Sequence, residues 1–137
     1  MCRSRTGTGK TLSFLLPLEQ LIRDNKGRED AKKNKIQAII LEPTRELASQ
    51  VQTQVEKYTN LKSVLVYGGG ASRGQQMRDI KRVKPDVLVC TPGRLIDMLT
   101  NDDLALDDCQ FQILDEGDKM LDMGFEQDII EIQKFLT

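Results

Sequence analysis
Four short apolar runs rich in β-branched residues constrain this chain most: IQAIIL (36–41), KSVLVY (62–67), PDVLVC (85–90) and FQILD (111–115). Each is nearly continuous rather than alternating, the pattern of strands buried on both faces of a parallel sheet. Between them, apolar residues recur at helical spacing. Residues 10–23 present Leu12, Leu15, Leu16, Leu18, Leu21 and Ile22, with Pro17 expected to bend the helix. Residues 45–58 present Leu47, Ala48, Val51, Val55 and Tyr58, with Thr44 before them as an N-cap. Shorter helices are expected at 73–83, 93–100 and 119–136. Alternating strand and helix predicts an α/β layered fold, and 137 residues make at most one domain. The charged run RDNKGREDAKKNK (23–35) reads as a solvated connection.

Charge narrows the partners. Twenty basic and 21 acidic residues leave a net charge of −1, which argues against a mainly electrostatic grip on nucleic acid. It leaves open phosphate binding by backbone N–H groups and helix N-termini. Cys2, Cys90 and Cys109 form no CxxC pair and histidine is absent, so no structural metal such as zinc is expected. Free thiols suit a reducing compartment. No apolar run approaches membrane-spanning length and no signal segment opens the chain, so a soluble intracellular protein is expected.

The chemistry-bearing stretches sit at the ends of these elements. SRTGTGKT (4–11) opens the first helix, and Gly7 and Gly9 let the backbone curl its N–H groups inward around a phosphate. Lys10 can then reach the β- and γ-phosphates and the Thr11 hydroxyl can ligate magnesium. A flexible glycine turn before a lysine would look the same. FQILDE ends a buried run in Asp115 and Glu116, adjacent carboxylates that can take separate roles, although such a turn is also ordinary helix-cap material. EPTRELA, YGGG and CTPGR follow the other three runs. These read either as common turns or as ligand loops at the carboxyl ends of parallel strands.

In this order and spacing, SRTGTGKT, PTRELA, the glycine pair, TPGR and DEGD resemble the first RecA-like domain of DEAD-box ATP-dependent RNA helicases, over essentially the whole chain. The glycine pair followed by Gln75 is similar to the family's GG-x5-Q pattern, and MLDMGF (120–125) to the continuation of its acidic strand. The resemblance implies a RecA-like P-loop NTPase fold with a parallel sheet, ATP and Mg2+ as cofactors, and RNA as partner. By it, Gly7, Thr8, Gly9, Lys10 and Thr11 would cradle the ATP phosphates. Thr11 and Asp115 would hold magnesium, Asp115 through water, and Glu116 would act on the hydrolytic water. Asp118 would couple the nucleotide site to a downstream Ser-Ala-Thr motif. Pro43, Thr44, Arg45 and Glu46, then Gly68 and Gly69, then Thr91, Pro92, Gly93 and Arg94 would grip one RNA strand through sugar and phosphate, with little sequence preference.

The departures carry expectations too. The sequence begins after the family's adenine-recognising glutamine motif and the strand feeding the phosphate loop. It stops before the Ser-Ala-Thr strand and the second RecA-like domain. A fragment truncated at both ends is therefore expected, with a hole in its sheet and unpaired apolar edges, binding ATP–Mg2+ and single-stranded RNA at most. The competing expectation is a non-catalytic module that binds RNA or a partner. Gly117 stands where the family usually has alanine, and is expected to tune the acidic motif rather than disable it. The resemblance implies a place in the nucleus, nucleolus or cytoplasm.

Overall fold
All four apolar runs form strands, each shorter than its run: β1 Ala38–Leu41, β2 Ser63–Val66, β3 Val87–Cys90 and β4 Phe111–Leu114. The computed structural model describes residues 8–26, 35–101 and 103–136. Among these, the strands pair in parallel in the order β2-β3-β1-β4. The sheet is contiguous, so the expected hole does not appear; β4 instead lies at an edge. Burial follows position. β1 and β3 are buried throughout, as the continuous apolar runs predict, whereas β2 alternates and β4 is only partly covered. Two-sided burial thus holds for the central strands alone.

The strands are flanked by α1 Thr8–Lys26, α2 Arg45–Tyr58, α3 Arg73–Val83, α4 Pro92–Thr100, α5 Gly117–Asp122 and α6 Glu126–Lys134. The strand period of two splits the core. Ala38 and Ile40 with Val87 and Val89 pack against Leu15, Leu18 and Ile22 of α1 and Ala48, Val51 and Val55 of α2. Ile39 and Leu41 with Leu88 and Cys90 face the other way, onto Ile80 of α3, Leu95, Met98 and Leu99 of α4, Met120 of α5, and Ile129 and Ile132 of α6. Each fully buried isoleucine or leucine contributes about 1.5–3 kcal/mol relative to exposure. A charge at Ile40, covered on both sides, would break the sandwich.

The helix starts follow their caps. The Thr44 hydroxyl accepts from Leu47 N–H at 3.3 Å to open α2, and Ser72 accepts from Gln75 N–H at 3.1 Å to open α3. α1 runs through Pro17 as one helix, with Leu16 and Leu21 on its exposed side rather than in the core. The expected helix over 119–136 is two helices. Gly124, at φ +83°, breaks it between α5 and α6. The charged run 23–35 falls mostly outside the described residues, but Arg23 belongs to α1 and pairs with Glu19 at 2.8 Å.

Candidate functional site
The register brings the four carboxyl ends level. Val66 pairs with Cys90, Cys90 with Leu41, and Leu41 with Leu114. The ladder runs one residue further: Thr91 N–H donates to Val66 C=O at 3.0 Å, Glu42 N–H to Cys90 C=O at 2.9 Å, and Asp115 N–H to Leu41 C=O at 3.1 Å. Tyr67, Thr91, Glu42 and Asp115 therefore stand in a row along one sheet edge. That is the edge at which open α/β sheets bind ligands.

At the β1–β4 end of this row sits an ionic cluster. Lys10 Nζ lies 3.4 Å from Asp115 Oδ1 and 3.7 Å from Glu116 Oε1, all three side chains being largely buried. Thr11, one residue along α1, is buried at 8% exposure. Asp115 is also buried, and its Oδ1 accepts from Glu116 N–H at 3.1 Å. Glu116 adopts a left-handed backbone, φ 56° and ψ 41°, which costs a non-glycine residue about 1–2 kcal/mol. That strain turns adjacent carboxylates in different directions, as separate roles require. Asp118 lies in the first turn of α5 and is exposed. Thr8 and Gly9 open α1, while Gly7 lies outside the described residues.

A third carboxyl belongs to this cluster. Glu42 is fully buried, and among the described residues no protein donor reaches either of its oxygens. Burial first, then hydrogen bonding with Asp115 and the charges of Asp115 and Glu116, push Glu42 up to about 10, against the opposing effect of Lys10. The site thus gathers three carboxyls around a single ammonium. These oxygen donors and orphaned buried oxygens suit a hydrated magnesium ion. Among the described residues no three acidic, histidine or cysteine side chains stand close enough together to ligate a metal ion directly.

At the β2–β3 end lies an open groove of about 450 Å³, lined by Pro43, Thr44, Arg45, Gly68, Thr91, Gly93, Arg94, Asp97 and Phe125. Three sequence motifs meet there. Arg45 stacks on the Tyr67 ring, 4.5 Å from its centroid. Glu46, Gly69 and Pro92 do not line the groove; Gly69, at φ +81°, shapes its loop, and Pro92 is buried at the start of α4. Arg94 is already engaged, donating to Ala71 C=O at 3.1 Å and Gln76 Oε1 at 3.2 Å. Gln76 in turn donates to Tyr67 C=O at 2.8 Å. The glutamine that braces the glycine loop is therefore Gln76, buried at 1% exposure, and not the exposed Gln75, which bonds Arg78. Counting five residues from Gly69–Gly70 instead of Gly68–Gly69 would have found it. Glu42 was also readable, as an acidic residue at a buried strand's end.

An ammonium and carboxyls gathered at a helix N-terminus beside strand ends are an arrangement that phosphate-binding α/β domains use. The family model described as DEAD/DEAH box helicase matches residues 1–137, and the chain belongs to that family. It is 43% identical over 131 residues to DEAD-box ATP-dependent RNA helicase 3B, chloroplastic, of Zea mays, covering 94% of this chain and 17% of the relative. It is 44% identical over 138 residues to probable ATP-dependent RNA helicase ddx27 of Dictyostelium discoideum, covering 96% and 17%. The chain thus spans about a sixth of the length of these curated relatives. Among solved structures it matches a DEAD box protein from the hyperthermophile Methanococcus jannaschii with a TM-score of 0.82 at 39% identity, covering 98% of this chain and 35% of that one. It matches Mss116p bound to ssRNA and AMP-PNP with a TM-score of 0.83 at 32% identity, covering 98% and 27%. The parallel RecA-like fold is that of these DEAD-box proteins. No helix among the described residues is long and apolar enough to cross a membrane.

Proposed function
We propose that this chain forms the ATP- and RNA-binding face of an ATP-dependent RNA helicase. The observation that carries the reading is the level row of strand ends, with the Lys10–Asp115–Glu116 cluster at one end and the groove at the other. ATP phosphates would lie over the N-terminus of α1, cradled by Gly7, Thr8 and Gly9 of the phosphate loop. There Lys10, now paired to carboxylates, would turn to the phosphates as a point charge. Magnesium, when bound, supplies positive charge to the β- and γ-phosphate oxygens; the Thr11 hydroxyl and Asp115 would hold it. Glu116 would orient the attacking water and take its proton as the bond between the γ-phosphorus and the bridging oxygen breaks. Asp118 would couple this site to the rest of the helicase.

Single-stranded RNA would run through the groove, met by the Thr44 and Thr91 ends of α2 and α4 and by Arg45. Such contacts reach sugar and phosphate and read no sequence. Arg94 would act by holding the Gly68–Gly70 loop in place. Strand separation would require a second RecA-like domain closing over this face, and the isolated chain would not unwind RNA. The proposed compartment is intracellular; relatives named chloroplastic and mitochondrial add organelles to the nucleus, nucleolus and cytoplasm. The test is titration with fluorescent ATP in magnesium. Lys10→Ala should abolish binding while leaving single-stranded RNA affinity unchanged. Undiminished ATP binding in that variant would remove the phosphate loop from the reading.

A further inference from the structure
Beyond the groove, α3 carries a second cavity that none of the roles above uses. It measures about 480 Å³ and is lined by Arg73, Gly74, Met77, Arg78, Lys81 and Asp103. Arg73, Met77 and Lys81 recur every four residues, and Gly74, Arg78 and Lys81 at four and three, so all five share one helical face. The two cavities adjoin: Arg73 pairs with Asp97 of the groove at 3.2 Å and with Asp103 at 2.8 Å. Held between two carboxylates, that guanidinium is fixed and its charge largely offset. Arg78 and Lys81 are different. Both are exposed, Arg78 donates to the neutral Gln75 Oε1 at 2.8 Å, and among the described residues neither meets a carboxylate. Asp79, the single acidic residue of α3, pairs instead with Arg82 at 3.2 Å. A Cβ at Gly74 would meet only Arg78 Nη1, at 3.8 Å, so the cavity stays open beside that arginine. With a net charge of −1 on the whole chain, two uncompensated cations on one cavity are a local feature.

Resting on the reading of the groove as an RNA path, we propose that this cavity is a second phosphate subsite: RNA leaving the groove passes Arg73 and sets backbone phosphates against Arg78 and Lys81. The chemistry favours a nucleic-acid backbone over a peptide. Arginine offers a planar fork of N–H donors and lysine a mobile point charge, both suited to phosphate oxygens. Among the described residues Met77 alone brings an apolar side chain to the lining, too little to anchor a hydrophobic peptide. Contacts of this kind lengthen the footprint and add affinity without reading sequence.

The test is fluorescence anisotropy of the full chain with labelled oligouridylates of increasing length, repeated across a salt series. Wild-type affinity should step up once the strand outgrows the groove. Arg78→Gln with Lys81→Gln should remove that step and leave affinity for the shortest binding oligomer and for ATP unchanged. Two lost phosphate contacts on a single strand should lower the slope of log K against log salt by about 1.4, at about 0.7 each. The charge-conserving pair Arg78→Lys with Lys81→Arg should keep the step. Equal affinity at every length in wild type, or a step and slope that survive the double glutamine variant, would overturn the proposal and leave the groove reading standing on the short oligomers. Arg45→Ala separates the two readings the other way. A step that survives there and fails in the double glutamine variant supports the subsite, even where short-oligomer affinity is untouched and the groove reading falls. Inorganic phosphate or poly-glutamate bound through Arg78 and Lys81, with no length step for RNA, would also overturn the proposal, marking a free-anion or acidic-peptide site. A wild-type chain that binds no oligomer overturns both readings.

Discussion

Gly117→Ala tests how the acidic turn is built. A glycine within DEGD invites the view that the turn needs its left-handed freedom. The structure places that demand one residue earlier: Glu116 has φ 56°, while Gly117 is not among the positive-φ glycines and opens α5. Alanine should therefore enter Gly117 with an ordinary helical backbone. Restricting the unfolded chain at a compatible position stabilises by about 0.4–1 kcal/mol. For a domain of this size that raises the melting temperature by about 1–4 °C. The added methyl brings no charge and no hydrogen-bonding group to Lys10, Asp115 or Glu116. ATPase turnover in a helicase carrying this chain should change less than about tenfold, or 1.4 kcal/mol in the barrier. Calorimetry on the chain and a coupled ATPase assay on the helicase read the two quantities. A lowered melting temperature would show that Gly117 uses a conformation closed to alanine. A rate gain far above tenfold would show that the wild-type site is impaired.

Glu116→Gln should keep ATP affinity and stop hydrolysis, read by nucleotide titration and single-turnover phosphate release; unchanged turnover removes Glu116 from the chemistry. Gly70→Ala would place a Cβ 2.5 Å from Tyr67 Cε2, forcing the ring on which Arg45 stacks to move. RNA affinity by fluorescence anisotropy should fall while ATP affinity holds, the lost stacking being worth about 0.5–1 kcal/mol; equal RNA affinity would separate Tyr67 from the groove. Glu42 binds its proton more tightly folded, at about 10, than its ordinary 4.5. The native state then holds the extra proton, so stability is greatest below pH 4.5 as far as this group goes and declines between pH 4.5 and 10, by at most about 1.4 kcal/mol per pH unit. Glu42→Gln should flatten that decline in urea melts run across the window, and an unchanged slope would place the titration elsewhere.

What the sequence showed and what it withheld divide along a physical line. Local pattern sufficed where one element decides the outcome. Runs of Ile, Leu and Val made the strands, Thr44 capped its helix, and Lys10, Asp115 and Glu116 came together because each lies at an element's end. Pattern failed where the outcome depends on neighbours. β2 and β4 resemble β1 and β3 in composition, and only the sheet order makes them edges with open flanks. MLDMGF reads as helix until Gly124 takes a positive φ that splits it. Gln75 and Gln76 are equivalent as letters, yet helical phase turns Gln76 to the Tyr67 carbonyl and Gln75 to solvent. Arg94 was placed by its motif on the RNA-gripping surface, and only the fold shows it bonded to Ala71 and Gln76 as well. Glu42 is the sharpest case. Its place before PTRELA reads as the first residue of a turn, and only the register shows a buried carboxyl level with Asp115. An alternative explanation, that Glu42 merely caps the strand, does not account for two buried oxygens without a donor among the described residues. The structural cost falls beside the candidate metal site, where a group supplying the missing hydrogen bond would offset it.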